Sequence, residues 1–257
     1  MSKTIFITGC SSGIGFAAAH YLKKIGFRVI ASCRKSKDFE SLQQQGFEVV
    51  LLDLDDSESV QRASQEVIEL TGNKLYGLFN NAGFGFYGTL QEISRSQLEK
   101  QFATNVFGLH ELTIALLPAM LPHKEGRILQ TSSVLGFIST TKRGAYAASK
   151  HALEGLTDTL RLELYSAGIK VSMLEPGPIM TSFSTNVNQT NKKDKVVNPS
   201  IAAKLALTTE DVMPYIKHAF VHKNPKSRYR ITMVSKSMWL AKKLLPDFCL
   251  DRLLRNK

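Results

Sequence analysis

The strongest constraint on this chain comes at its start. A short apolar run over residues 4–9 (Thr-Ile-Phe-Ile-Thr-Gly) ends on glycine and leads through Ser11-Ser12-Gly13-Ile14-Gly15 into a helical pattern carrying Ala19, Leu22 and Ile25. Such a run reads as a buried parallel strand. Glycine lets the chain turn tightly and brings backbone close to a ligand. A helix N-terminus then offers free N–H groups and a positive dipole end to an anion such as a pyrophosphate. Gly9, Gly13 and Gly15 have the spacing GxxxGxG, a variant of the dinucleotide-binding GxGxxG. Glycines also mark plain strand–helix turns, so the loop gains its weight from the pattern of the chain beyond it.

That pattern is alternation. Strand patterns over residues 28–32, 47–52, 75–80, 127–131 and 170–175 interleave with helical patterns near 57–70, 94–106 and onward to 117, and 145–165; a charged helical segment precedes the third strand. Strands separated by helices imply right-handed crossovers. The expected fold is therefore α/β: one Rossmann-like, doubly wound parallel sheet with helices on both faces, spanning residues 1–257 as a single domain. The texture changes after Pro178. Residues 181–199 are rich in Thr, Ser, Asn and Lys and read as a flexible loop, with helical patterns near 200–206 and 210–222. Residues 235–257 alternate apolar and basic side chains at helical spacing. We expect a C-terminal helical lid over about 181–225 and a basic extension over about 235–257.

Composition narrows the class. Hydrophobic residues make up 43% and charged residues 21%, ordinary for a soluble enzyme. Cys10, Cys33 and Cys249 are odd in number and widely spaced, which suggests a reducing, cytoplasmic compartment rather than disulfides or zinc. No apolar run has the length of a signal peptide or a membrane span. The net charge is +11, of which +10 lies in residues 185–257, with 15 basic against 5 acidic residues. That asymmetry is read as a solvated or packing face; a membrane-surface role for the extension is the less favoured reading, and nucleic acid is not an expected partner. His218 and His222 stand four apart with no third ligand nearby, so no metal is expected.

The end of the second strand points to the nucleotide. NAD sites place a carboxylate there for the ribose 2′-hydroxyl, whereas an arginine suits the 2′-phosphate of NADP. Here Cys33 is followed by Arg34, Lys35 and Lys37, with no carboxylate before Asp38. NADP(H) is the expected cofactor.

Thr8-Gly9-Cys10-Ser11-Ser12-Gly13-Ile14-Gly15, Asn80-Asn81-Ala82-Gly83, Asn105, Ser132-Ser133, Tyr146-xxx-Lys150 and Pro176-Gly177 together resemble, in order, the motif series of the short-chain dehydrogenases/reductases. The resemblance covers roughly residues 3–184. It implies a catalytic set of Asn105, Ser133, Tyr146 and Lys150, with Ser133 and Tyr146 touching the substrate. The implied cofactor site comprises Gly9, Ser11, Ser12, Gly13, Ile14, Gly15, Arg34, Asp53, Asn81, Ala82, Tyr146, Lys150, Pro176, Gly177 and Ile179. Asp53 would lie near the adenine, and Asn105 would order a water leading to the lysine. Ser132 is a rival to Ser133, which the family spacing favours.

The residue types make chemical sense by themselves. Tyr146 and Lys150 are four apart on one predicted helix and share a face. A phenol near pKa 10 is a poor acid–base group at neutral pH unless a cation favours its phenolate, and Lys150 can supply one. The plainer reading is a half-buried tyrosine beside a surface lysine. With the motif series, the expectation is hydride transfer between a nicotinamide and a carbonyl–alcohol pair, run as a reductase because the NADP pool is usually reduced. Phe84, Phe86, Tyr87, Leu135, Phe137 and Phe183 flank the predicted site and suggest a hydrophobic small molecule. The loop and the Leu-Glu-Pro-Gly-Pro-Ile segment resemble the subgroup with 17β-hydroxysteroid and retinol dehydrogenases and bacterial aldehyde reductases. Relatives in the family are often homodimers or homotetramers. A catalytically silent NADP-sensing regulator on the same fold is the alternative.

Overall fold

Strand β1 (Thr4–Ile7) sends Ile5 and Ile7 to one face of a sheet and Phe6 to the other, as successive strand residues must. In the computed structural model, which describes residues 2–183, 187 and 205–255, both faces are covered. The helices are α1 (Gly13–Lys24), α2 (Ser36–Gln44), α3 (Ser57–Thr71), α4 (Arg95–Phe102), α5 (Gly108–Leu116), α6 (Gly144–Glu163), α7 (Met213–Val221), α8 (Met233–Leu244) and α9 (Asp247–Leu254). The other strands are β2 (Arg28–Cys33), β3 (Glu48–Leu51), β4 (Gly77–Asn80), β5 (Gly126–Thr131), β6 (Ile169–Glu175) and β7 (Arg228–Arg230).

The sheet has the order β3-β2-β1-β4-β5-β6-β7, and every pairing is parallel. The winding reverses between β1 and β4. Ligands bind at such a switch point, outside the carboxyl ends of the strands. One core layer joins Ile5, Ile7, Val29 and Phe79 of the sheet to Ala18 and Leu22 of α1 and Ile216 and Phe220 of α7. The other joins Phe6, Ile30, Val50 and Leu78 to Val60 and Val67 of α3, Leu112 of α5 and Leu153 of α6.

Phe220 ties the late part of the chain to the sheet. Its ring meets Phe79 edge to face at 6.2 Å, and the Tyr76 hydroxyl donates to the Phe220 carbonyl at 2.6 Å. Phe220→Ala is expected to cost about 3–5 kcal/mol of stability, as a fully buried aromatic leaves a cavity. Denaturant unfolding measures this, and a loss below about 1 kcal/mol would show that α7 contributes little to the core.

The expected α/β fold is observed, with three differences. β7 has no counterpart among the expected strands. It is three residues long with an arginine at each end, and it pairs through Tyr229, which enters the core while Arg228 and Arg230 face buried Glu175. The single helix expected over 235–257 is two, α8 and α9, because Pro246 forces Leu245 into an extended conformation (φ −93°, ψ 138°). The helix expected from 94 onward to 117 holds a π-helical turn, Ala103–Phe107, between α4 and α5. Such turns are rare and occur often at functional sites. The helical pattern near 200–206 lies almost wholly outside the described residues, as does most of the 181–199 loop. No described helix is long and apolar enough to cross a membrane.

Candidate active site

The glycine loop follows β1 and faces the strand β4 end across the switch point. Gly9 has φ +72°, a left-handed conformation, and a Cβ there would sit 3.0 Å from Ala82. Thr8 Oγ1 accepts from the amides of Asn81 and Ala82, each at 2.9 Å. Asn81 Nδ2 returns a bond to the Thr8 carbonyl at 3.1 Å. The two strand ends are thereby stapled. Sequence reasoning misses this role of Thr8, because a threonine before a glycine looks ordinary. Helix α1 begins with no acidic residue in its first turn, and Ser12 makes no capping bond through its side chain. Its hydroxyl instead accepts from Ser182 at 2.9 Å. An anionic group fits this end without competition from a carboxylate. Cys10 is buried beneath the loop, and burial pushes its thiol up to about 12, which leaves it an inert filler.

Arg34 is exposed just past β2, at the same edge of the sheet, where Cys10 N donates to Ser32 O at 2.7 Å. Asp53 follows β3, its amide donating to Ser59 Oγ at 3.0 Å and its carboxylate accepting from the Asp55 amide at 3.1 Å.

Ser133, Tyr146 and Lys150 come together where β5 ends. Ser133 opens a short 3₁₀ turn, its hydroxyl accepting from Leu135 N at 3.1 Å, and it lies close enough to Tyr146 to favour the ionised phenol. Tyr146 and Lys150 lie buried on one face of α6, with Lys150 Nζ 5.7 Å from the Tyr146 ring centre. Ser132 points elsewhere and donates to Glu154 Oε1 at 2.7 Å, so of the two serines only Ser133 faces the tyrosine. Asn105 lies in the π-helical turn. Its Nδ2 donates to the Phe84 carbonyl at 2.9 Å and Ser149 Oγ at 3.1 Å, and its Oδ1 accepts from Phe84 N at 3.1 Å. A Cβ on Gly83 would stand 3.3 Å from Asn105 Oδ1 and 3.6 Å from Lys150 Nζ, so both groups border one small gap.

Burial holds the Tyr146 hydroxyl well above the usual phenol range, and the nearby Tyr87 phenol adds to this. The downward influences are the nearby Ser133 hydroxyl and the Arg143 charge, not Lys150. The order of titration explains this: Lys150 gives up its proton well before the buried phenol does, while its Nζ donates to the Thr131 carbonyl at 2.8 Å. Burial draws Lys150 itself down to about 8, against the opposing pull of Glu154.

Beside Tyr146 lies an apolar cluster of Leu135, Ile138 and Ala147, joined by Tyr87, Val134, Phe137, Phe183, Met238 and Leu254. Four of the six flanking residues named from the sequence belong to it. Phe84 and Phe86 do not; they pair with each other at 5.2 Å, and Gln101 pins that loop by accepting from Phe86 N and donating to Phe84 O, both at 2.8 Å. Met238 of α8 and Leu254 of α9 escape sequence reasoning, since nothing local ties residues about a hundred positions downstream to this site.

At the β6 end, Pro176 O accepts from Val134 N at 2.8 Å and Gly177 N donates to Thr232 Oγ1 at 3.2 Å. Ile179 forms a parallel bridge with Leu207 through Met180 N and Pro178 O. That pattern aims the amide and carbonyl of Ile179 away from Leu207. His218 stacks on His222 at 4.3 Å between ring centres and bonds the Tyr229 hydroxyl at 2.7 Å. Among the described residues, no group of three His, Cys, Asp or Glu could hold a metal.

Comparison with known proteins agrees with this geometry. A family model described as short chain dehydrogenase matches residues 3–192. The chain is 56% identical over 256 residues to the uncharacterized oxidoreductase YbbO of Escherichia coli K12, covering 100% of this chain and 95% of that protein. It is 34% identical to the NADPH-dependent 3-dehydrocapnine reductase of Ornithobacterium rhinotracheale, covering 96% and 94% of the two chains. A short chain dehydrogenase/reductase from Burkholderia phymatum, crystallised with NAD, superposes with a TM-score of 0.79 at 27% identity, covering 99% of this chain and 96% of that one.

Proposed function

Since this chain belongs to the short-chain dehydrogenase family, we propose that it is an NADP(H)-dependent oxidoreductase that reduces hydrophobic aldehydes or ketones to alcohols. The observation that carries the reading is the meeting of Ser133, Tyr146 and Lys150 at the carboxyl ends of the strands, beside an apolar cluster. A bound nicotinamide supplies the hydride. Tyr146, held protonated by burial, donates its proton to the carbonyl oxygen. Ser133 holds that oxygen as a neutral hydrogen-bond donor. Lys150 and Asn105 border the gap through which Tyr146 is reprotonated, and Lys150 also binds the nicotinamide ribose. Pro176, Gly177 and the outward backbone groups of Ile179 frame the nicotinamide. Gly9, Ser11, Ser12, Gly13, Ile14 and Gly15 cradle the pyrophosphate, while Asp53, Asn81 and Ala82 border the adenosine.

In this reading the substrate lid expected over about 181–225 stops short of α7, whose Ile216 and Phe220 are buried in the core, and the extension over about 235–257 completes the pocket through Met238 and Leu254. Exposed Phe107 on the π-helical turn and exposed Leu156 and Leu162 on α6 support assembly into a homodimer or homotetramer.

The reading is tested by consumption of NADPH and NADH against a panel of aldehydes, ketosteroids, retinal and acyl ketones. NADPH-dependent turnover of the hydrophobic members is expected; no turnover across the panel would overturn it. The NADP preference rests on exposed Arg34 beside Lys35 and Lys37, and the NADPH-dependent reductase relative supports it. Arg34→Ala is expected to raise KM for NADPH about tenfold or more, the value of a hydrogen bond to a charged group, and to leave KM for NADH unchanged. An equal effect on both cofactors would remove Arg34 from the 2′-phosphate site.

A further inference from the structure

One buried carboxylate beside the site has no part in the chemistry of hydride and proton transfer. Glu154 lies one helical turn beyond Lys150 on α6, and the two share a buried face. Its Oε1 accepts from Ser132 Oγ at 2.7 Å and its Oε2 lies 3.2 Å from Arg228 Nη2. A buried carboxylate is costly unless paired. Arg228, however, already holds two others: Asp158 through both terminal nitrogens at 2.9 and 2.8 Å, and Glu175 through Nε at 2.8 Å. Arg161 also holds Asp158 at 2.8 Å, and Arg230 holds Glu175 at 2.9 Å. With Glu154 the network balances three arginines, Arg161, Arg228 and Arg230, against three carboxylates, so Glu154 completes its charge while its second oxygen is free to hold Ser132.

The chain also makes room for the Ser132–Glu154 pair. A Cβ on Gly136 would lie 2.3 Å from Ser132 Oγ and 2.4 Å from Glu154 Oε1. The backbone around Ser133 is fastened in the same place: Ser132 N donates to Leu174 O, and Val134 N to Pro176 O, both at 2.8 Å. With Ser132 held by Glu154, the Ser133 hydroxyl accepts from Leu135 N and stays on the Tyr146 side.

We propose that Glu154 is a positioning residue for the reaction, setting Ser133 through the side chain of Ser132 and holding Lys150 in its working state from one turn away on α6. The proposal rests on the catalytic reading of Ser133, Tyr146 and Lys150. The two effects are separable. Through Ser132, Glu154 fixes the turn that carries the oxygen-binding hydroxyl. Through its charge, it opposes the burial that draws Lys150 down to about 8. The other ionisable groups around this region are Tyr146 and Arg143 on the substrate side, Asp158, Arg161, Arg228 and Arg230 in the ion network, and Glu175, which burial and Glu154 push up to about 7.

Glu154→Gln retains an acceptor for Ser132 and removes the charge. Without the anion, protonated Lys150 loses a stabilising neighbour and gives up its proton at lower pH. The alkaline limb of the kcat–pH profile for NADPH-dependent reduction is therefore expected to move down by about one unit. Glu154→Asp is expected to move it less. Glu175→Gln removes the other group titrating near neutrality, and the limb is expected to persist there. Ser132→Ala keeps the charge, so the limb is expected to stay put while kcat falls about tenfold at unchanged KM for NADPH. A Glu154→Gln enzyme with the wild-type limb overturns the charge role, and a Ser132→Ala enzyme with wild-type kcat overturns the orienting role. If Glu154→Gln does not fold, Ser132→Ala and Glu154→Asp carry the test. Absence of turnover in the wild-type enzyme would instead overturn the catalytic reading itself.

Discussion

Tyr146→Phe is expected to lower kcat for carbonyl reduction by two to four orders of magnitude, the usual contribution of a positioned general acid, while the Kd for NADPH stays within about threefold. The ring is held by edge and tilted contacts to Tyr87 at 6.0 Å and Phe183 at 5.7 Å, and phenylalanine keeps both. The hydroxyl removed is deeply buried, so its loss leaves the fold intact. Ser133 keeps its bond from Leu135 N, so the oxygen-binding site remains formed. Single-turnover kinetics and cofactor titration by fluorescence separate the two quantities. A variant keeping more than about a tenth of wild-type kcat would remove Tyr146 from the proton-donating role.

The second large effect concerns the cofactor crevice. A Cβ on Gly15 would lie 2.3 Å from the Gly9 carbonyl oxygen and 2.5 Å from Asn81 Nδ2. Neither can yield cheaply. Gly9 is fixed by its left-handed conformation, and Asn81 Nδ2 is committed to the Thr8 and Gly9 carbonyls at 3.1 and 3.4 Å. Gly15→Ala must therefore push the loop away from α1, where backbone N–H groups would meet the pyrophosphate. NADPH affinity is expected to fall at least about a hundredfold, the loss of several charge-assisted bonds together. Calorimetric titration gives the number, and a melting curve confirms that the variant is folded. Binding within threefold of wild type would mean that the phosphate lies elsewhere.

The contrast between what is legible in the sequence and what is not tracks the range of the interactions. Gly9, Gly13 and Gly15 are close in sequence and bound to one strand–helix turn, so their spacing betrays them. Tyr146 and Lys150 are related by helical periodicity alone. The parallel sheet comes from apolar runs separated by amphipathic ones. β7 is different: two of its three residues are arginines, and it reads as strand only once Glu175 is known to lie opposite. The π-helical turn at Ala103–Phe107 is set by tertiary fit around Asn105, which no local propensity records. Sequence spacing puts Lys150 on the face of Tyr146 but does not record that burial lowers the lysine itself or that its ammonium bonds the Thr131 carbonyl. Family spacing favours Ser133 over Ser132, but the partner that turns Ser132 away, Glu154, stands twenty-two positions from it and is not legible in the spacing.

Met238 and Leu254 pack from α8 and α9 against the apolar cluster that holds Tyr146, whereas the proposed chemical groups all lie between residues 105 and 150. Part of the wall is thus inherited on a stretch of the chain separate from the chemistry. A substitution at 238 or 254 reshapes the space beside the phenol without touching the helix that carries it. Descendants of this sequence can drift in the molecules they accept while the proton and hydride steps stay under separate, stricter selection.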